Sequence, residues 1–286
     1  MLQHLLDTYY DIEGVGESAQ LPVFSCKELL TRKPGTPSGE YWIFGTDGKA
    51  SLQYCDMTRS CGGVDGGWMR VAALDMTDSN QQCPDSLTER GTSQRYCEIG
   101  LSENGCSEVH YPVESAIGYF RVCGRVIGFQ QGTTDSFLDY NRPANPSIDS
   151  YYVDGVSITR GSPRKHVWTF ASALDEAPGH AEADCACINP SLASHTHPPP
   201  EYVGDHYFCD TGSRDGVIHG SAYTSDPLWD GAGCEGENEC CSFNSPPWFY
   251  RDLLECNSDD LEVRVCRDES RGNEDIGVQV IEIYVQ

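Results

Sequence analysis

Residues 25–76 read SCKELLTRKPGTPSGEYWIFGTDGKASLQYCDMTRSCGGVDGGWMRVAALDM, and the interpretation of the whole chain depends on this stretch. Residues 41–44 (YWIF) and 50–54 (ASLQY) are two short runs that favour β-strands. Between them, GTDG at 45–48 places Gly and Asp where a tight turn needs positive φ. The pattern predicts a β-hairpin, followed by a further apolar strand at 68–74.

Cysteines and glycines frame the predicted hairpin. Cys26 lies before the first run and Cys55 at the end of the second, so one bridge could join the start of the segment to the hairpin. The glycine pairs at 62–63 and 66–67 allow the backbone to approach other groups closely before the next strand. The segment therefore predicts a small β unit at the start of the main body.

This segment resembles the opening of the fibrinogen-related C-terminal domain. Four short motifs carry the resemblance in the expected order and spacing: SCKEL at 25–29, SGEYWI at 38–43, YCDM at 54–57 and GGW at 66–68. The cysteines of that family that correspond to Cys26 and Cys55 are disulfide-bonded, so the resemblance implies the same bridge here.

The last third of the chain is more similar to the intelectins, which share the fibrinogen-related opening and then diverge. The similarity lies in Gly233-Cys234, Cys240, Pro247-Trp248-Phe249 and a closing strand after Asp275-Ile276. It implies a secreted, calcium-dependent, glycan-binding protein that is often oligomeric. The Asp-x-Asp-Asn-Asp calcium loop of fibrinogen domains is missing from this sequence, so no calcium ligand is carried over residue by residue.

The cysteine content indicates an oxidising compartment. The chain has 15 cysteines in 286 residues and lacks the C-x-x-C spacing of common zinc sites. Its start, MLQHLLDTYYDIEG, does not read as a signal peptide, and no apolar run is long enough for a membrane helix. We therefore expect a secreted, extracellular protein without a membrane span, whose leader was removed or lies outside this sequence.

The pairing of the cysteines is only partly indicated by their spacing. Because 15 is odd, at least one thiol is expected to be free or bonded to another chain, and Cys256, which follows a polar segment, is the favoured one. Four cysteines follow one another closely: Cys83, Cys97, Cys106 and Cys123. Their spacing predicts local bridges and leaves the connectivity open.

Negative charge dominates the chain. Acidic side chains outnumber basic ones 44 to 19, and from residue 175 onward there are 23 acidic residues against five arginines and no lysine. Such a surface repels nucleic acid and anionic membranes, and it favours divalent cations. Simple solvation of a secreted protein explains the same imbalance.

Acidic clusters in the last third are candidate calcium sites, because hard cations bind several oxygens on a bent, Gly-rich loop. One cluster comprises Asp230, Glu235, Glu237 and Glu239, and another comprises Asp205, Asp210 and Asp215. A solvated turn is equally compatible with each cluster.

Two tryptophans are candidate sugar platforms. Trp229 lies between Pro227 and Gly231, next to Asp230, and Trp248 follows two prolines. Trp229, Asp230 and Trp248 thus form the predicted ligand-binding set. Each tryptophan could instead anchor the core, since tryptophan is highly buried on average.

Other chemistries are disfavoured by the sequence. Cys185, Cys187, His195 and His197 could bind zinc, but one-residue spacers fit a tetrahedral ion poorly and thiolates would oxidise in the predicted compartment. The sequence has no Gly-x-Ser-x-Gly, His-Glu-x-x-His or phosphate-loop motif. We therefore expect no enzymatic activity.

The remaining pattern predicts the fold class. Strands or hairpins are expected at 119–130, 151–173, 261–265 and 278–285, with the last strand pairing back into the main sheet. These predict an α+β, mostly β, disulfide-rich fold of the fibrinogen-related or intelectin-like type. The expected division is an N-terminal segment and linker at 1–24 and one body at 25–286, with the opening subdomain at 25–76 and a divergent cysteine-rich remainder at 77–286.

The sequence predicts a secreted, non-catalytic recognition protein that binds glycans like a lectin, assisted by calcium. A homo-oligomer would raise the affinity of weak single sugar sites through multivalency. The alternative is an acidic structural protein of the extracellular matrix or of mineral, whose carboxylates bind calcium diffusely. Nucleic acid is not an expected partner.

Overall fold

The computed structural model describes residues 14–92, 95–100, 105–130, 155–162, 165–172, 207–208, 248–267 and 276–286. Within these ranges the chain is mostly β-strand, with one α-helix and one 3-10 turn. A mostly β fold held by disulfides is therefore confirmed. None of the described segments forms a helix that is long and apolar enough to cross a membrane.

The strands form two sheets and a small ladder. The helix α1 spans Cys26–Arg32, and the 3-10 turn spans Glu114–Ala116. The first sheet contains β1 (Gly39–Phe44), β2 (Ala50–Asp56), β5 (Trp68–Asp75), β6 (Thr88–Arg90), β7 (Tyr96–Glu98), β9 (Tyr119–Gln130), β13 (Trp248–Asn257) and β15 (Ile276–Val285). The second sheet contains β8 (Gly105–Tyr111), β10 (Gly155–Arg160), β11 (Lys165–Ser172), β12 (Tyr207–Phe208) and β14 (Leu261–Arg267). The ladder pairs β3 (Ser60–Cys61) with β4 (Val64–Asp65).

Ser25 is the N-cap of the helix α1. Its hydroxyl accepts a hydrogen bond from Glu28 N at 3.0 Å, and Glu28 Oε2 accepts one from N of Phe24, the residue before the cap, at 2.6 Å. Cys26 and Leu29 are buried on the helix face that meets the core. The S-x-x-E motif at 25–28 therefore encodes a helix start that the strand pattern did not predict.

The opening hairpin and its bridge are confirmed. β1 and β2 pair antiparallel from the Gly39–Cys55 pair to the Phe44–Ala50 pair. The disulfide between Cys26 and Cys55, implied by the resemblance, ties α1 to the end of β2. The start of the predicted body is thus one bridged unit.

The C-terminal strand β15 lies inside the first sheet. Residues 280–285 pair with β5, and residue 278 pairs with β7. The other edge of β15 pairs with β9 along residues 276–285. The prediction that the last strand pairs back into the main sheet is confirmed. β2 and β1 continue the sheet beyond β5, and β13 continues it beyond β9.

The second sheet packs its apolar face against the first. Its strand order is β12-β11-β10-β14-β8, and the hairpin of β10 and β11 lies within the predicted range 151–173. Ile158 and Val263 share one core with Ile281 of β15. Trp168 stacks on Phe249 of β13 at 4.9 Å between ring centroids. The two sheets are therefore layers around a common core.

A smaller cluster covers the other face of the first sheet. It contains the Cys61–Cys123 bridge together with Trp68, Tyr250 and Tyr284. Trp68 meets Tyr250 edge-on at 6.3 Å between ring centroids. Strand alternation explains the placement, because the neighbours of Cys123 and Tyr284 along their strands point into the main core.

The disulfides correct one prediction. Described cysteines form the bridges Cys26–Cys55, Cys61–Cys123 and Cys83–Cys97. Cys83–Cys97 is local, as predicted, with a separation of 14 residues. The prediction of a local bridge is wrong for Cys123, whose partner is 62 residues away, because the β3–β4 ladder that carries Cys61 packs against the first sheet next to Cys123. Among the described cysteines, Cys256 has a free, exposed thiol.

Replacing the Cys61–Cys123 pair by alanines should destabilise the protein more than replacing the Cys83–Cys97 pair. The first bridge closes a 62-residue loop and the second a 14-residue loop. Loop-closure entropy then gives losses of about 4 and about 3 kcal/mol, respectively. Free energies of unfolding in urea for the two double variants measure the difference. Equal losses, or a larger loss from C83A/C97A, would contradict the loop argument.

Gly124→Ala should destabilise the junction of β9 and β15. A Cβ at this position would lie 2.5 Å from the carbonyl oxygen of Glu282 and 2.6 Å from the ring of Phe249. Overpacking of this kind costs about 1–3 kcal/mol. Gly39→Ala is the matched control, because its Cβ would meet nothing closer than 3.8 Å. Thermal unfolding should show a lower midpoint for G124A than for G39A, and equal midpoints would refute close packing at β9.

Candidate functional site

Most residues of the predicted calcium and sugar site lie outside the described residues. This holds for Trp229, Asp230, Glu235, Glu237 and Glu239, for the cluster of Asp205, Asp210 and Asp215, and for the cysteine–histidine motif at 185–197. Trp248 is the first residue of β13, where it pairs with Arg125 of β9. Among the described residues, a different set of polar side chains lies close together on the second sheet.

Six polar side chains lie on the face of the second sheet that points away from the core, which we call the polar face. Alternation along the strands puts them there, because their neighbours Val109, Ile158 and Val263 point into the core. The register of β10, β14 and β8 arranges them in two rows, Ser157–Arg264–Glu108 and Thr159–Glu262–His110. Members of one row are direct cross-strand neighbours.

Burial of the polar face decreases toward β8. The two side chains on β10 are fully buried. On β14, the side chains of Arg264 and Glu262 are 6% and 12% exposed. On β8, the side chains of Glu108 and His110 are 41% and 67% exposed. The polar face is therefore buried at β10 and open to solvent at β8.

Arg264 hydrogen-bonds to Glu108 and lies within ion-pair distance of Glu262. It donates to Glu108 Oε1 at 2.9 Å, and its Nε lies 3.3 Å from Glu262 Oε1. The Thr159 hydroxyl donates to the same oxygen of Glu262 at 3.5 Å. Burial lowers the pKa of Arg264 and Glu108 opposes this shift, but a guanidinium stays protonated in proteins. One oxygen of each glutamate thus lies against a buried cation.

His110 lies between the same two carboxylates. Its Nε2 is 3.8 Å from Glu108 Oε2, and its Nδ1 is 3.7 Å from Glu262 Oε2. Both separations are longer than a hydrogen bond. A donor atom from each of the three residues lies within 4.8 Å of the other two. The oxygens nearest His110 are the Oε2 atoms, whereas Arg264 contacts the Oε1 atoms.

A cleft of about 430 Å³ opens beside His110. It is lined by His110, Gly161, Ser162, Asp259, Asp260 and Glu262. The turn after β10 and the turn before β14 are joined by a hydrogen bond from Gly161 N to Asp260 O at 3.3 Å. Gly161 has a φ of +73°, and a Cβ there would lie 2.9 Å from Asp259 Oδ2. Glycine is therefore required at this side of the cleft.

Each aspartate of the cleft is held through one oxygen. Arg160 donates to Asp259 Oδ2 at 2.6 Å and also to Asn257. Val113 N donates to Asp260 Oδ1 at 2.8 Å. No described residue donates to the other carboxylate oxygen of Asp259 or Asp260. Both side chains are oriented and still have an oxygen available to a ligand.

Tyr119 anchors the turn that carries these aspartates. Its hydroxyl donates to the backbone oxygen of Asp259 at 2.8 Å. Burial raises the pKa of Tyr119 well above its usual range, Arg160 opposes the shift, and Asp259 and Asp260 add to it. The hydroxyl therefore keeps its proton and remains a donor at neutral pH.

The cleft and the polar face together carry an excess of negative charge. Their described charged residues are Glu108, Glu262, Asp259, Asp260, Arg160 and Arg264. Among the described residues of the cleft and the polar face, four carboxylates thus lie beside two guanidinium groups. Such a site attracts cations and repels anionic ligands. Its oxygens can bind a metal ion or accept hydrogen bonds from hydroxyl groups.

The sequence carries a weak signal for this site. Residues 261–265 are predicted as a strand, and the polar residues Glu262 and Arg264 at its alternate positions are the ones that enter the polar face. Glu108 and His110 alternate in the same way on β8. The Glu108–Arg264 pair is 156 residues apart in the chain, so the contact is visible only once the strand register is known.

No model of a known protein family, no curated protein and no solved structure matches this chain. The fibrinogen-related and intelectin-like character indicated by short motifs stays a prediction. The function is therefore inferred from the residues of the cleft and the polar face.

Arg264→Met should destabilise the protein, because Glu262 would remain nearly buried without its cation. Unpairing a fully buried ion pair costs about 3–5 kcal/mol, and solvent at the exposed Glu108 reduces the expected loss to about 2 kcal/mol. Free energies of unfolding in urea measure the loss. The double variant R264M/E262Q should recover part of it, since the uncompensated charge is gone. A double variant no more stable than R264M would contradict this role of Arg264.

Proposed function

We propose that the protein is a secreted, extracellular, non-catalytic recognition protein that binds glycans in the cleft with the help of calcium. The observation that supports this function best is the cleft itself, which places three carboxylates and one imidazole around about 430 Å³ of open space. Sites for small ligands commonly have volumes of about 300–1,000 Å³. Oriented carboxylates suit a ligand that presents several hydroxyl groups.

Calcium would bind to the available oxygens of Asp259 and Asp260. Calcium takes about six to eight oxygen ligands, so two aspartates leave most of its coordination shell open. Adjacent hydroxyls of a sugar and water molecules would complete that shell. Because Arg160 and Val113 already orient the two side chains, little ordering is needed when the ion and the sugar bind.

The disulfides support the extracellular part of the proposal. Three bridges among the described cysteines are typical of proteins that fold in an oxidising compartment. The resemblance of residues 25–76 to fibrinogen-related domains, and of the last third to intelectins, points to the same compartment and to glycan ligands. Several copies of a weak site would be needed for useful avidity.

An acidic protein of the extracellular matrix or of mineral is the second candidate. The net charge of −25 favours it, because so many carboxylates would bind calcium without a defined site. In that case the cleft would be one acidic region among several, and calcium binding would be weak and sensitive to salt.

The test combines a glycan array with calcium titration calorimetry. Wild-type protein should bind glycans in calcium and lose the signal in EDTA. Asp259→Asn combined with Asp260→Asn should abolish glycan binding and remove a saturable calcium site. The matched control is Asp75→Asn combined with Asp78→Asn, which removes two charges from an exposed turn of the first sheet. This control should bind as wild type does.

The two candidate functions give opposite results in this experiment. Glycan binding that survives EDTA, or that is equal in D259N/D260N and wild type, would refute calcium-assisted binding in the cleft. The matrix protein would be favoured if calcium binds at many weak, salt-sensitive sites and no glycan binds. Calcium binding should then decrease equally in D259N/D260N and D75N/D78N.

A further inference from the structure

We propose that Glu108, His110 and Glu262 form a binding site for a transition metal ion of the zinc class at the open edge of the polar face. This site borders the cleft and shares His110 and Glu262 with its lining. Metal binding by these three residues goes beyond the proposed glycan binding. Either proposal can be correct without the other.

The backbone brings the three ligands together before any ion binds. Glu108 and His110 are two residues apart on β8 and therefore share a face of the sheet. Glu262 is the direct partner of His110 across the pairing of β8 with β14. That pairing continues without a break along β14 from Leu261 to Arg267. Three donors on two hydrogen-bonded strands need little additional ordering on binding.

The distances between the donor atoms are slightly longer than those around a bound zinc ion. Zinc bonds to nitrogen and oxygen are about 2.0–2.2 Å long, so two tetrahedral ligands lie about 3.3–3.6 Å apart. The imidazole of His110 is 3.7 Å from Glu262 and 3.8 Å from Glu108. These two contacts involve different ring nitrogens, so binding requires a rotation of the imidazole. The 67% exposure of the His110 side chain permits that rotation.

A second set of contacts orients the ligands. Arg264 contacts Oε1 of both glutamates, at 2.9 Å for Glu108 and 3.3 Å for Glu262, and the Thr159 hydroxyl also donates to Oε1 of Glu262. The Oε2 atoms are left nearest to His110. Hydrogen-bonded partners behind metal ligands typically fix their orientation and raise metal affinity.

The local charge favours a divalent cation. Two carboxylates converge on the imidazole of His110, and both lie close to the single guanidinium group of Arg264. The neighbouring Asp260 adds a carboxylate that is bonded to backbone rather than to a cation. Among the described residues around the site, carboxylates therefore outnumber guanidinium groups, which favours the approach of a cation.

The imidazole decides the class of ion. Calcium and magnesium bind oxygen ligands, whereas zinc and its neighbours bind histidine nitrogen together with carboxylate oxygen. No thiolate is involved, so the site is compatible with the oxidising conditions that favour disulfides. The adjacent cleft leaves room for a fourth ligand, either water or a donor group from a bound molecule.

The test is calorimetric titration of zinc chloride into the metal-stripped protein carrying Cys256→Ser, in excess calcium. The serine removes an exposed free thiol that would bind zinc by itself, and calcium occupies diffuse acidic sites. We expect one saturable zinc site. His110→Gln and Glu262→Gln should each weaken it by about tenfold or more. Glu40→Gln, which removes an exposed carboxylate from β1, should leave it unchanged.

Cobalt supplies a second readout. Its visible absorption reports coordination, and the band expected in the C256S background should be lost in H110Q. Circular dichroism should show that H110Q is folded, because the His110 side chain is largely exposed. Glu108→Gln repeats the metal-binding test at a second exposed ligand. Zinc isotherms that are equal in C256S, H110Q and E108Q would overturn the proposal, as would zinc binding that excess calcium abolishes. Glycan binding is not measured here, so either proposal can fail alone.

Discussion

The pairing of β15 between β5 and β9 is the constraint on which the rest of the structure depends. Among the described strands, β5 carries the opening hairpin, β9 carries β13, and these two parts of the first sheet meet at β15. Its alternation places Ile281 and Ile283 in the main core and Tyr284 in the cluster with the Cys61–Cys123 bridge. One strand therefore completes both cores, and the long-range pairing it needs makes folding slow compared with local hairpins.

The candidate site follows from this packing. Because the main core takes Val263 and Val265 from β14, Glu262 and Arg264 must point to the opposite face. The same alternation on β8 places Glu108 and His110 beside them. A shift of one residue in the register would move the charged groups into the core. Burial of the apolar side chains therefore also fixes where the ligands of the proposed metal site lie.

Local features were predictable from the sequence and long-range ones were not. The hairpin of β1 and β2 is encoded within 20 residues by strand formers and a Gly-Asp turn, and it is where the pattern predicts it. The helix α1 was missed because its N-cap lies in the SCKEL motif, which was interpreted only through its resemblance to fibrinogen-related domains. The Cys61–Cys123 bridge depends on packing of the β3–β4 ladder against the first sheet. The Glu108–Arg264 pair depends on the pairing of β14 with β8. Residue spacing predicts neither of these long-range contacts.

The buried arginines explain why this region looks like a site rather than ordinary core. Arg160 and Arg264 are both buried, and removing a guanidinium from water is offset only by well-placed carboxylates. An apolar pair of similar volume would often stabilise a fold at least as well. What the ion pairs add is position: Arg264 contacts one oxygen of Glu108 while the other lies nearest to His110, and Arg160 orients Asp259 in the lining of the cleft. A protein that binds a cation is expected to hold its charged ligands in place before binding, even where apolar residues would make the fold more stable.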